Sequence, residues 1–140
     1  MTPRQIELVE NSWDFVLTNT AEGGVIFYDK LFELDPSLRS LFKDDIKLQS
    51  QKLISLITFA VHKLNSLEEI ISDVKALGAR HRGYQVKPEY YLTVAEALLW
   101  TLGKGLGNQW NEELKEAWVT LYTRLSNTMI EAAKEEKVVI

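Results

Sequence analysis

The sequence contains no cysteine, which excludes disulfide bonds and any chemistry that depends on a thiolate. It has only three prolines and two histidines among 140 residues. A chain without cysteine is consistent with a reducing compartment, so a cytoplasmic location is expected.

The chain also lacks a strong excess of one charge, since 16 basic residues face 20 acidic ones for a net charge of −4. The basic residues are scattered along the sequence, so neither nucleic acid nor a membrane is expected as a partner. No apolar run is long enough to span a bilayer, and the N-terminal stretch lacks the apolar core of a signal peptide. The length predicts a single domain over residues 1–140, large enough to bury a core.

Apolar residues recur at steps of three and four along most of the chain, which predicts amphipathic helices. The pattern predicts a first helix that starts at Pro3 and a second over about 21–34. A third predicted helix contains Leu53, and a further one contains His81. Two more helices are predicted over about 87–103 and 112–134. A turn is expected at residues 103–108, where three glycines alternate with other residues. No stretch alternates with period two, so the predicted class is all-α, with six or seven helices in a globular arrangement.

His81 is the first residue that the core pattern does not explain. It lies on the same predicted helix face as Val74 and Leu77. A histidine on an apolar face is often a hydrogen-bonded core residue, and spacing alone leaves that interpretation open. The alternative is a single axial ligand to haem iron, with its other ring nitrogen held by a backbone carbonyl.

Tyr28 and Gln49 form a second candidate feature. Tyr28 falls on the inward face of the second predicted helix, and Gln49 shares a face with Leu53 on the third. Buried tyrosine and glutamine need hydrogen-bond partners. Tyr28 could be an ordinary core residue and Gln49 a surface residue, or the two could donate hydrogen bonds to a bound diatomic ligand.

Gly24 and His62 complete the candidate residues. A glycine inside a helix costs about 1 kcal/mol relative to alanine, so Gly24 suggests either a weak helix start or a close helix contact. Ser50 is small enough to be the matching contact. His62 follows Gln49 by 13 residues, which places it about 220° around the helix and roughly 20 Å along it. It is therefore expected at the surface, away from any pocket that contains Gln49.

With these residues placed, nearly the whole chain resembles the globin family. Within that family it is most similar to neuroglobin, to the single-domain bacterial globins and to the haem domain of flavohaemoglobins. Each matching residue is weak evidence alone, and the shared order and spacing carry the resemblance. The matching residues are Trp13, Gly24, Pro36, Phe42, Leu77, His81, Tyr91, Trp118 and Tyr122.

The resemblance implies a three-over-three helical sandwich that holds haem b, iron protoporphyrin IX. His81 would be the proximal iron ligand and Phe42 the ring that packs on the porphyrin. Tyr28 and Gln49 would be the distal pair that stabilises the ligand. The remaining expected cofactor contacts are Leu53, Leu77, Val86, Val94 and Tyr91, with Lys52 near a propionate.

The function implied is reversible binding of O2 with high affinity, with NO and CO as further small ligands. Relatives with this distal pair also convert NO to nitrate, and a peroxidase or nitrite side activity stays open. Any such turnover needs an external reductase. The alternatives are a haem-based gas or redox sensor that acts through a partner protein, and a globin fold without haem.

The chain departs from the family pattern at three places. Phe42 and Gln49 are only seven residues apart, so the short helix between them should be absent. Gln49 is not a histidine, so iron held by two histidines is unavailable from that position. Flavohaemoglobins pair the proximal histidine with a tyrosine and a glutamate. Tyr91 matches that tyrosine, but Ala133 stands at the position of the glutamate.

Overall fold

The computed structural model describes residues 1–19, 23–42, 45–64 and 88–138, and only the backbone of residues 19, 88 and 132–138. Within these ranges the regular structure is helical, without a strand, which confirms the all-α class. No helix in these ranges is both long and apolar enough to cross a membrane. The α-helices are α1 (Pro3–Asn19), α2 (Gly23–Leu34), α3 (Ile46–His62), α4 (Pro88–Leu106) and α5 (Glu112–Val138), with 3₁₀ helices at Pro36–Leu41 and Gly107–Gln109.

Polar side chains set the helix starts, as the sequence predicts for α1. The Thr2 hydroxyl accepts a hydrogen bond from the Gln5 backbone N–H at 3.1 Å, and the Gln5 side chain accepts one from the Thr2 N–H at 3.0 Å. This reciprocal capping box satisfies two N–H groups that the helix leaves unpaired. At α3, the Asp45 carboxylate accepts from the Leu48 N–H at 2.8 Å.

The segment between Phe42 and α3 is too short for a further helix. Phe42 ends the first 3₁₀ helix in an extended conformation, and Asp45 is already the N-cap of α3. Two residues between these caps cannot complete a helical turn of 3.6 residues. The short helix is therefore absent between Phe42 and Gln49, as the sequence predicts.

Two tryptophans connect α1 to α3 and α5 at the centre of the core. The rings of Trp13 and Trp118 have centroids 5.9 Å apart. Trp118 Nε1 donates to the Ser12 hydroxyl at 2.9 Å, and Trp13 Nε1 donates to the Thr58 hydroxyl at 3.0 Å. Each buried indole thus has the polar partner that burial demands. This core holds α3 in place against α1.

The predicted turn at residues 103–108 is wrong at its start. Helix α4 continues through Gly103 to Leu106, and Gly107 is the described glycine that adopts a positive φ, of 55°. A Cβ at Gly103 would lie 3.2 Å from the Trp110 ring. The lack of a side chain at Gly103 therefore allows Trp110 to approach the helix closely. Gly107 instead adopts the left-handed conformation that the turn requires.

Candidate functional site

Tyr28 and three phenylalanines form an aromatic cluster where α2 meets the first 3₁₀ helix. The Tyr28 ring contacts Phe42 edge-on with centroids 5.3 Å apart, and contacts Phe27 edge-on at 4.9 Å. Phe32 lies 6.0 Å from Tyr28 and 5.7 Å from Phe42. Such tilted and edge-on pairs are favourable arrangements of aromatic rings. The structure therefore brings together Tyr28 and Phe42, two residues that the sequence assigned to one site.

The Tyr28 hydroxyl is a polar group on a side chain that packs among these apolar rings. Only 5% of the residue is exposed. Its hydroxyl forms no hydrogen bond with a described residue. Burial raises the pKa of Tyr28 to about 12, so the group stays protonated at neutral pH. A neutral donor is thus held in an apolar cluster, where a ligand that can accept a hydrogen bond would find it.

Helices α2 and α3 make a close contact one turn before Tyr28. A Cβ placed on Gly24 would lie 2.5 Å from the Ser50 Cβ and 3.0 Å from the Ser50 Cα. The contact predicted between Gly24 and Ser50 is confirmed, and a weak helix start is no longer needed to explain the glycine. Gln49 precedes Ser50 on α3 and is partly buried. The crossing therefore fixes the backbone of both distal candidates, because each lies within about one helical turn of it.

We predict that Gly24→Ala lowers the free energy of unfolding by about 1–3 kcal/mol, the usual cost of overpacking a tight contact. Urea titration would measure this change. The double variant Gly24→Ala/Ser50→Gly is the control, because it removes the nearest atom from the clash and should recover part of the loss. Equal losses in the single and double variants would contradict the packing explanation.

Helix α4 contributes Tyr91 and Val94 beside α5. Tyr91 is buried and Val94 is partly buried against the core. The Tyr122 hydroxyl donates to the Tyr91 backbone carbonyl at 2.7 Å, which ties α5 to the first turns of α4. Burial raises the pKa of the Tyr91 phenol and of the Tyr122 phenol, and the nearby charge of Tyr91 adds to the second shift. Sequence reasoning missed this bond, because no spacing rule links a phenol to a carbonyl 31 residues away.

Three further residues that the sequence singled out also lie on α3. Leu53 is partly buried against the core, Lys52 is exposed, and His62 is exposed at the last turn. The exposure of His62 agrees with its exclusion from a pocket that contains Gln49. The buried Ser50 hydroxyl, by contrast, has no hydrogen-bond partner among the described residues, which the sequence did not signal.

Three of the predicted site residues, His81, Leu77 and Val86, lie outside the described residues. The side chain of Ala133, at the position of the missing glutamate, does so as well. Their assigned roles therefore stay predictions.

Comparison with known proteins identifies the family. The globin family model matches residues 25–129, which is most of the chain. Neuroglobin of Tetraodon nigroviridis is 31% identical over 137 residues, which cover 88% of this chain and 86% of the relative. A cotton protein described as an anaerobic nitrite reductase, from Gossypium hirsutum, is 30% identical, and the match covers 89% of this chain and 85% of the relative.

A solved structure shows the same architecture. It is an engineered carbene transferase made from a candidate nitric oxide dioxygenase of Rhodothermus marinus, with a TM-score of 0.87 at 22% identity. The match covers 99% of this chain and 97% of the other. At this identity the likeness establishes the fold, while the family match and the relatives establish descent. Together they show that this chain belongs to the globin family, whose fold binds haem and, through it, gaseous ligands.

Proposed function

We propose that this globin binds haem b through His81, binds O2 with high affinity, and converts NO to nitrate with electrons from an external reductase. The observation that carries the proposal is the Tyr28 side chain, which lies among aromatic rings with 5% of the residue exposed and whose hydroxyl forms no hydrogen bond with a described residue. This hydroxyl can donate a hydrogen bond to a ligand, and a bond to a charged acceptor contributes about 1.5–3 kcal/mol.

The described residues fit a haem. Phe42, Leu53 and Val94 are partly buried apolar side chains at the end of the 3₁₀ helix, on α3 and on α4. A chain without cysteine cannot attach haem through thioether bonds, which favours noncovalent haem b. The cotton relative is described as a nitrite reductase and the Rhodothermus neighbour as a candidate nitric oxide dioxygenase, so redox chemistry with nitrogen oxides has support among similar proteins.

The residues of the chain would each perform a limited task. The haem, when bound, would supply an iron that binds O2 and takes part in its redox chemistry. Tyr28 donates a hydrogen bond toward the negative charge that develops on the ligand, and Gln49 adds a second donor. The aromatic rings around Tyr28 hold its ring in place. In the overall reaction, NO, O2 and one electron give nitrate, so each turnover requires one electron from outside.

A single-turnover experiment tests the proposal. The protein reduced with dithionite, desalted and exposed to O2 should show a Soret band, and one equivalent of NO should yield nitrate within the mixing time. A matched Tyr28→Phe sample should lose its O2 faster and yield less nitrate. Absence of a Soret band would indicate a globin without haem. A Soret band without nitrate would leave a carrier or a sensor and refute the dioxygenase.

A further inference from the structure

Helix α3 carries a narrow outward row of apolar and basic side chains. The row comprises Leu48, Lys52, Leu56, Phe59 and Lys63, spaced by four, four, three and four residues. At 100° and 1.5 Å per residue, these positions fall within about 80° of the helix circumference and extend over about 22 Å. We call these five residues the α3 row. Lysines that are scattered along the sequence therefore lie on one side of the helix once it forms.

The α3 row is exposed and carries positive charge. Leu48, Leu56 and Phe59 are 41%, 44% and 41% exposed, although large apolar side chains in one row are usually covered. Helix α3 contains no acidic residue from Ile46 to His62, in a chain whose net charge is −4. Lys63 follows directly and forms no ion pair with a described residue. The row thus presents apolar and cationic groups together.

The α3 row adjoins the candidate site. On the same helix, Gln49 and Leu53 lie about 20° and 60° beyond Leu56, on the side that packs toward the core. Lys52 belongs to the row and is also the residue predicted to lie near a haem propionate. A molecule seated on the row would therefore lie beside the side chains assigned to the pocket.

We propose that the α3 row is the docking surface for an acidic one-electron carrier protein that reduces this globin. The inference rests on the proposed function, because dioxygenation consumes one external electron per turnover. Complementary charge speeds the encounter of redox partners, and electron-transfer interfaces are commonly small. Leu56 and Phe59 would exclude water at the contact, and Lys63 would face carboxylates of the partner.

Other occupants fit the α3 row less well. A second copy of the chain would present the same two lysines and no carboxylate from this helix, so its row offers no ion pair to the first. Anionic membranes are typically recognised by clusters of about four to eight basic residues, whereas the row has two. An acidic electron carrier matches the positive charge of the α3 row, and the small row suits the small interface of such a partner.

The probe for the test is a plant-type [2Fe–2S] ferredoxin, an acidic one-electron carrier. Adding oxidised ferredoxin to the ¹⁵N-labelled, CO-bound protein should shift amide signals of residues 48–63 in particular. Stopped flow then follows reduction of the ferric protein by reduced ferredoxin, in which the cluster loses one electron and the haem iron gains it. Dithionite replaces ferredoxin as a reductant that needs no docking.

Lys63→Gln and Lys47→Gln form a matched pair, because each removes one exposed charge from an end of α3. Lys47 lies about 160° around the helix from Lys63 and is outside the α3 row. At low ionic strength, Lys63→Gln should slow reduction by ferredoxin roughly fivefold, the worth of one close charge pair in water. Lys47→Gln should change the rate less than about twofold, and added salt should remove the difference. Reduction by dithionite should be the same in both variants.

Phe59→Ser tests the apolar part of the row, with Val119→Ser on α5 as a control of similar exposure, 40%. Only Phe59→Ser should weaken the amide shifts. Shifts centred elsewhere, no shifts, or equal effects of the two lysine variants would overturn the docking surface. Binding to phosphatidylglycerol vesicles that Lys63→Gln abolishes, without ferredoxin shifts, would assign the row to a membrane instead. Single-turnover nitrate formation needs no docking partner, so its failure would be distinguished from a failure of this inference.

Discussion

His81→Gly should purify almost free of haem, and added imidazole should restore the Soret band. Glycine leaves space where the imidazole ring was, so a free imidazole can take its place. Changes in residues that merely support a metal ligand already cost roughly 10- to 100-fold in affinity, so loss of the ligand itself should cost at least that. Haem content is measured from the ratio of Soret absorbance to protein absorbance, with and without imidazole.

The chain supplies its own control, since His62 is its only other histidine. His62 is exposed at the end of α3, so His62→Gly should keep a normal haem content and spectrum. Normal haem binding in His81→Gly would refute the proximal assignment. A spectrum of iron held by two histidines that disappears in His62→Gly would show that the geometry deduced for α3 is wrong.

Local rules predicted much of the fold because the local signals agreed with the tertiary contacts. Thr2 caps α1 through a hydrogen bond within one turn, and Pro3 occupies the first helical position, both of which the sequence shows directly. Gly24 was informative because its cost in a helix requires a compensating contact, and Ser50 supplies it. The predicted start of the turn near residue 103 was wrong because a glycine can indicate either close packing or a positive φ. Only the position of the Trp110 ring distinguishes the two uses.

The candidate residues came from the sequence, whereas the contacts between them did not. Spacing placed Tyr28 inward, while its contact with Phe42 depends on how the 3₁₀ helix folds back on α2. The bond from Tyr122 to the Tyr91 carbonyl and the burial of the Ser50 hydroxyl both arise from packing between distant segments. Exposure of the α3 row likewise follows only from the way α3 packs. Such features have no signature within a window of one or two helical turns.

Tyr28→Phe should speed O2 release by roughly ten- to a hundredfold while changing CO release far less. Bound O2 carries partial negative charge and CO carries little, so a hydrogen-bond donor favours O2. A hydrogen bond to a charged acceptor contributes about 1.5–3 kcal/mol, and each 1.4 kcal/mol corresponds to about a factor of ten. Phenylalanine keeps the ring contacts with Phe42, so the variant isolates the hydroxyl. Because the pKa of Tyr28 is raised to about 12, O2 release should not respond to its ionisation below the ordinary value of 10.0.

Three further variants make the comparison specific, with all rates measured by ligand-replacement stopped flow. Gln49→Leu should speed O2 release by a smaller factor, because a flexible side chain loses more entropy in each bond. The Tyr28→Phe/Gln49→Leu double variant should fall short of the product of the two effects, since both donors serve one ligand. Tyr122→Phe removes a hydroxyl that already donates to the Tyr91 carbonyl, so it should leave the ratio of O2 to CO release unchanged. If Tyr28→Phe leaves O2 release unaltered, or alters CO release equally, Tyr28 is a core residue only. The high-affinity proposal would then fail, and the buried Tyr28 hydroxyl would need another explanation.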